Sequence, residues 1–259
     1  MIYNFNSESP VGVMDSGMGG ISTLKALVSE LPYENYIYFG DDKNAPYGRK
    51  TADEVRRLSE NVLLNLLSQN VKAVVIGCNT ATGAAAAYLR KKYPEIPIIG
   101  AEPAIKPAVR YKKNSKILVM ATYVTINSEK YRMLTESFEN EAEIISLPCR
   151  GLVELVEQGK VSGAEVDDAL HKLLDDYVGK IDSIVLGCTH YPFLSASISK
   201  IVGDNVNLFD GNHGIAAETR HRLFECGMLS SRTEKGNIEF ETSSGDPKTI
   251  EIAHRLMNL

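Results

Sequence analysis

The chain has little of what would attach it to a membrane, a polyanion or an oxidising compartment. No apolar run approaches the ~18 residues of a membrane-crossing helix. The opening stretch MIYNFNSESP has neither the basic start nor the apolar core of a signal peptide. Both absences point to a cytoplasmic protein without a membrane partner. A formal charge of −5, with Lys and Arg scattered among Asp and Glu, leaves no basic face for a nucleic-acid backbone. The short clusters RKK at 90–92 and KK at 112–113 read as solvated charge near helix ends and loops. Cysteine is scarce: Cys78, Cys149, Cys188 and Cys226 contain no CxxC spacing, so neither a structural zinc site nor any other metal centre is expected. A reducing compartment and a chain this long also remove the need for disulfides. Low-complexity segments and long linkers are absent.

What is present is material for a core. With 259 residues and 44% apolar content, the chain suits one large domain or two modest ones. Short apolar runs alternate with segments of helical period: VGVM at 11–14, YIYF at 36–39, AVVI at 73–76, PIIG at 97–100, KILVMA at 116–121, EIISL at 143–147, SIVL at 183–186 and NLF at 207–209. Between them, Leu24, Leu27, Val28 and Leu31 form one helical stripe, and Thr51 with Glu54 and Ser162 with Glu165 are spaced as capping boxes. Such alternation needs crossover connections, so the fold class is α/β, with mainly parallel sheet flanked by helices. Ligands in such folds gather beyond the carboxyl ends of strands, where Asp15, Ser16, Asp41, Cys78, Asn79, Cys188 and His190 fall.

Two stretches repeat a pattern. GCNT at 77–80 follows VVI, and GCTHYP at 187–192 follows IVL, so strand, Gly, Cys and polar residue occur once in each half. A duplicated α/β unit would explain this, with a seam near AEPAIKP at 101–107, where two prolines interrupt regular structure. Near the start, GVMDSGMGG at 12–20 is a strand, a glycine-dense turn and a helix start. Its GxGG spacing does not complete a dinucleotide fingerprint, but its backbone N–H groups could hold a phosphate or carboxylate, or the turn could be purely structural. The loop GDDKNAPYGRKT at 40–51 either contacts a ligand through its strand-tip position or shapes a surface turn with Tyr47 packed inward. Cys78, at a helix start, has its thiolate favoured by the helix dipole. Cys188 and His190, two residues apart, would share one side of an extended backbone.

Either cysteine alone reads as a buried, inert thiol. Together, at equivalent strand ends beside polar residues, they suit three chemistries: racemisation next to a carboxylate with one thiol on each face, a redox dithiol, or a Cys–His hydrolase. A redox pair is more usually CxxC, and a hydrolase leaves the second Gly-Cys stretch without a role.

The stretches DSGMGG at 15–20, GDDKNAPYG at 40–48, GCNTAT at 77–82, EPAIKPA at 102–108 and LGCTHYPFL at 186–194, in this order, resemble the glutamate racemase family. That resemblance implies a cofactor-independent isomerase of L- and D-glutamate that supplies D-glutamate for peptidoglycan. It implies two similar α/β lobes with the small-molecule substrate between them: residues 1–103 with 214–259, and residues 104–213. It also implies Cys78 and Cys188 as acid/base residues, Asp15 and His190 as their helpers, and substrate contacts from Asp15, Ser16, Tyr47, Gly48, Asn79, Thr80, Thr189 and His190. Thr122 and Thr125 match a family carboxylate-binding segment more loosely, and Glu154 in LPCRGLVELVE stands where a glutamate supporting the site is expected. Family members commonly dimerise, so the resemblance admits a homodimer, while the sequence itself does not give the oligomeric arrangement. The rival readings are a racemase of aspartate or another substrate of the same family, and a two-lobed amino-acid-binding module without turnover.

Overall fold

In a computed structural model that describes residues 5–259, the chain forms nine strands and eleven α-helices. The first four strands are β1 (Val11–Asp15), β2 (Tyr36–Gly40), β3 (Ala73–Ile76) and β4 (Ile98–Gly100). They are joined by α1 (Ile21–Glu30), α2 (Ala52–Ser68) and α3 (Asn79–Lys92). After α4 (Ile105–Tyr111) come β5 (Lys116–Ala121), α5 (Tyr123–Ile126), α6 (Glu129–Glu136), β6 (Glu143–Pro148), α7 (Leu152–Glu157), α8 (Ala164–Leu174), β7 (Ser183–Leu186), α9 (Ser195–Val202) and β8 (Asn207–Asp210). The chain ends with α10 (Asn212–Glu225), β9 (Ile238–Thr242) and α11 (Pro247–Met257). No helix among the described residues is long and apolar enough to cross a membrane.

Two parallel sheets result, with strand orders β4-β3-β1-β2-β9 and β6-β5-β7-β8. Read from β8, the second sheet is β8-β7-β5-β6, the same order as β4-β3-β1-β2. The duplicated unit suggested by the two Gly-Cys stretches is therefore present as topology. In each sheet the chain passes to one side of its first strand and then to the other, which opens a crevice at the carboxyl ends between β1 and β3 and between β5 and β7. Cys78 follows β3 and Cys188 follows β7, so the two thiols occupy equivalent crevices.

Apart from the end residues Asp15, Lys116 and Ser183, the central strands β1, β3, β5 and β7 carry no polar side chain, because helices cover both faces. β1, β3 and β7 are buried at every position, including Val13, Val75 and Val185. The stripe on α1 buries Leu24, Leu27 and Leu31 and leaves Val28 half-buried. α2 has the expected capping box from Thr51 and Glu54. The second expected box is wrong: α8 is preceded by Gly163 with no side-chain cap, and Glu165 pairs with Lys160 instead of reaching back to Ser162. The seam at 101–107 holds α4, with Pro107 in its first turn, where its missing N–H costs nothing.

β9 has no counterpart among the strands expected from the sequence. It joins β2 as an edge strand, and Phe240 packs on Tyr38 and His254. Ser230, on this returning segment, donates its N–H to Glu34, which is also ion-paired with the fully buried Lys72.

Candidate active site

The short strands deliver their last residues, and the turns after them, to one place. A small chamber of about 20 Å³ is lined by Ser16, Tyr47, Gly48, Cys78, Asn79, Thr80, Thr122, Thr125, Cys188, Thr189 and His190, together with Pro46, Val153 and Gly187. Of the residues that the resemblance assigns to the site, all line the chamber except Asp15, which lies just behind it, and Glu154, which lies outside; Asp41, also at a strand end, does not line it. A larger cavity, about 810 Å³ between the end of β4 and α10, has none of these residues.

Cys78 caps α3, and its Sγ accepts the Ala81 N–H at 3.4 Å. The dipole advantage expected there does not prevail. Burial, and after it the nearby Asp15 carboxylate, push the Cys78 thiol up to about 12, so it stands as the protonated form. Asp15 itself is raised to about 6, chiefly because it is buried; the charge of His190 works in the other direction. Its carboxylate accepts from Gly17 N–H at 3.2 Å, from Thr189 Oγ1 at 3.1 Å and from Ser16 Oγ at 3.4 Å. Asp15 thus ties the end of β1 to the loop that carries Cys188.

Cys188 and His190 meet, but not through an extended backbone. Residues 188–191 turn into a 3₁₀ segment, which leaves Cys188 Sγ 3.6 Å from His190 Nδ1. On its other side His190 Nε2 is 2.5 Å from Glu157 Oε1. Burial disfavours charge on His190, but the contacts with Cys188 and Glu157 outweigh it and hold the imidazole well above its ordinary range. Both ring nitrogens then donate, one to sulfur and one to carboxylate.

Glu157 was missed in the sequence, where the supporting glutamate was placed at Glu154. The two lie three residues apart on α7, yet Glu157 turns inward and Glu154 meets Arg49. Glu157 also accepts the Met18 N–H at 2.7 Å, so the glycine-dense turn does hold a carboxylate, and that carboxylate is the chain's own. Side-chain-free positions are needed there. A Cβ at Gly17 would lie 2.0 Å from Glu157 Oε1, and one at Gly19 would lie 2.3 Å from His190 Nδ1. The loop after β2 is held likewise: Tyr47 is buried and donates its hydroxyl to Asp41 at 2.6 Å.

Thr80, Thr122 and Thr125 bring three hydroxyls within 3.0–3.2 Å of one another, joining α3 to α5. Beside them Asn79 Oδ1 is buried without a hydrogen-bond partner. An unpartnered acceptor costs free energy unless a donor meets it, and three convergent hydroxyls suit a carboxylate.

Residues 11–219 match the family described as Asp/Glu/Hydantoin racemase. The chain belongs to this racemase family. It is 48% identical to the glutamate racemase of Clostridium acetobutylicum over 253 residues, which cover 97% of this chain and 98% of that one. Among solved structures it is similar to the Francisella tularensis glutamate racemase in complex with D-glutamate, with a TM-score of 0.83, 31% identity and coverage of 98% and 95% of the two chains. A TM-score of 0.83 is also found with the Escherichia coli glutamate racemase in complex with L-glutamate and the activator UDP-MurNAc-ala, at 28% identity over 96% and 95% of the chains. Within the racemase family, the two crevices that the topology pairs are the place to look for chemistry.

Proposed function

We propose that this chain is a glutamate racemase that interconverts L- and D-glutamate by two-thiol proton transfer at the α-carbon, and that the D-glutamate serves peptidoglycan synthesis. The observation that carries this reading is that Cys78 and Cys188, each from its own sheet, line one chamber. The lobes are taken as residues 1–103 with 214–259, and residues 104–213, because β9 lies on the first sheet and β5–β8 form the second.

Racemisation needs one thiolate and one thiol on opposite faces of a planar intermediate. Here the surroundings are unequal. The Cys188 sulfur faces the charged imidazole of His190, whereas Cys78 is kept protonated by burial. In that state the Cys188 thiolate removes the α-proton from one enantiomer, and the Cys78 thiol returns a proton to the other face. The products of the step are a Cys188 thiol and a Cys78 thiolate, the starting state for the reverse direction. Asp15, raised to about 6 and acting electrostatically on Cys78, is the carboxyl that takes up or releases the proton accompanying charge on Cys78. Glutamate's ammonium would donate to Asn79 Oδ1, and a carboxylate would accept from the hydroxyls of Thr80, Thr122 and Thr125. Ser16, Tyr47, Gly48 and Thr189 complete the wall. Because the chamber's 20 Å³ is about the size of one or two water molecules, substrate enters only when the lobes part.

The test is solvent-deuterium exchange at the α-carbon of L- and D-glutamate, without added cofactor, for the native chain and for Cys78→Ala and Cys188→Ala. The native protein should label both enantiomers, and each variant should lose net racemisation. No exchange with either enantiomer, or a clear preference for aspartate, refutes the assignment.

A further inference from the structure

Next to the small chamber lies a second cavity of about 340 Å³. Pro46, Gly48, Thr122 and Val153 line both and form the partition between them. The partition is tight, since a Cβ at Gly48 would sit 3.1 Å from Thr122 Cβ. Two cations, Arg49 and the exposed Arg150, line the outer cavity, with Tyr123 and Cys149. Arg49 comes from the loop after β2, on the first lobe. It is ion-paired with Glu154 of α7, on the second. Glu154 is thus a residue of the sequence reading that lines the outer cavity and not the chamber.

The chemistry of that contact identifies a ligand. Glu154 presents to Arg49 a side-chain carboxylate identical in kind to the one carried by a dicarboxylic amino acid. Arg49 therefore already holds, beside the residues shared by outer cavity and chamber, the group that an incoming anion would bring. The Arg49 side chain is 69% exposed and that of Glu154 35%. A pair so wetted is weak and readily exchanged, unlike a buried one. It also bridges the two lobes, so exchanging its carboxylate partner releases one inter-lobe tie at the moment the ligand arrives.

We propose that the outer cavity is an encounter site for a small carboxylate-bearing amino acid, in which Arg49 exchanges Glu154 for the ligand's carboxylate before passage into the chamber. The ligand class rests on the racemase reading, and the site rests on the cavity and the ion pair.

Thiol alkylation tests it without turnover. Iodoacetate carries the carboxylate and iodoacetamide is its neutral counterpart; both are small enough to probe the path to Cys149 and Cys188. Rates at each cysteine are read by peptide mass mapping. The ratio of the two reagents at one thiol cancels that thiol's thiolate fraction, and the exposed Cys226, which lines neither cavity, is the reference. Relative to Cys226, Arg49→Gln should lower the iodoacetate-to-iodoacetamide ratio at Cys149 and Cys188 by roughly three- to fivefold, and Glu154→Gln should raise it by a similar factor, the scale of an exposed ion pair. High salt should bring the native ratio toward that of Arg49→Gln. A ratio unchanged in either variant overturns the encounter site. Because no substrate is involved, a failed exchange assay would leave this result standing, and failure here would leave the racemase reading untouched.

Discussion

Replacing Asp15 by Asn should stabilise the protein at neutral pH while abolishing most of its activity. Asp15 is 1% exposed, and burial raises its carboxyl from an ordinary 3.8 to about 6. A carboxyl whose native pKa lies above its unfolded value costs nothing while protonated in both states. The cost grows as pH rises from 3.8 to about 6, because the folded chain binds more protons than the unfolded one, and it is complete above that. About 2 units at ~1.36 kcal/mol each amount to roughly 3 kcal/mol at pH 7.5. The amide of Asn keeps an oxygen for the Gly17 N–H, and the Thr189 hydroxyl can turn to accept from the new NH₂, so at most one weakened hydrogen bond, ~1 kcal/mol, offsets the gain. The net expectation is a stabilisation of roughly 2 kcal/mol at pH 7.5 that vanishes or reverses at pH 4. Urea unfolding of both proteins at pH 4, 5, 6 and 7.5 measures the difference, in which groups common to both cancel. A difference that does not grow with pH, or an Asn variant less stable at pH 7.5, would show that Asp15 is not held at the expense of the fold. Retained racemisation in the variant would remove Asp15 from the proton path.

Three further outcomes are expected. Glu157→Gln removes the charge that His190 Nε2 meets at 2.5 Å, and losing a hydrogen bond to a charged group should lower kcat by roughly ten- to a hundredfold, unequally in the two directions; polarimetry from each enantiomer reads this, and equal native rates would refute it. Gly19→Ala drives a methyl to 2.3 Å from His190 Nδ1 and should cost ~1–3 kcal/mol of stability with a larger loss of activity; thermal unfolding beside initial rates decides, and an active, unshifted protein would contradict the packing. Lys72→Met strands Glu34 in the core and should cost about 3–5 kcal/mol, with most of it regained when Glu34→Leu is added; a double variant as unstable as the single one would mean that Glu34 serves its Ser230 contact more than the pair.

In the proposed two-thiol reaction, the unequal surroundings of the two sulfurs decide where the charge rests between turnovers. A symmetrical site would stabilise both thiols or both thiolates alike. Here a histidine held between Cys188 and Glu157 stands on one side, and a carboxyl poised near 6 stands on the other. Charge on the Cys188 sulfur in that reaction is met by His190, whereas charge on the Cys78 sulfur is opposed by an ionised Asp15 and is tolerated only when Asp15 carries its proton. The same coupling joins the halves mechanically, because Thr189 of the Cys188 loop donates to Asp15 and Glu157 of α7 accepts from Met18.

The strands and the two cysteines were legible because their signals are local: a β-branched run, a glycine, a thiol. β9 was not, since IEFET is a half-buried edge strand whose partner, β2, lies about two hundred residues earlier. Nor was the contact of Cys188 with His190 read for the right reason; a turn, not an extended strand, closes it. The instructive miss is on α7. From LVELVE alone, Glu154 and Glu157 differ only in helical phase, and three positions along a helix are nearly one turn, so both fall close to the same face. What separates them is where that face meets the other lobe. At Glu157 it meets the bare backbone of Gly17 and the edge of His190, which leave room for a carboxylate and supply its donors. At Glu154, nearly a turn earlier, it has already passed the chamber and meets Arg49 in water. The glycines of DSGMGG thus select the inward glutamate, a relation between residues 17 and 157 that no local pattern records.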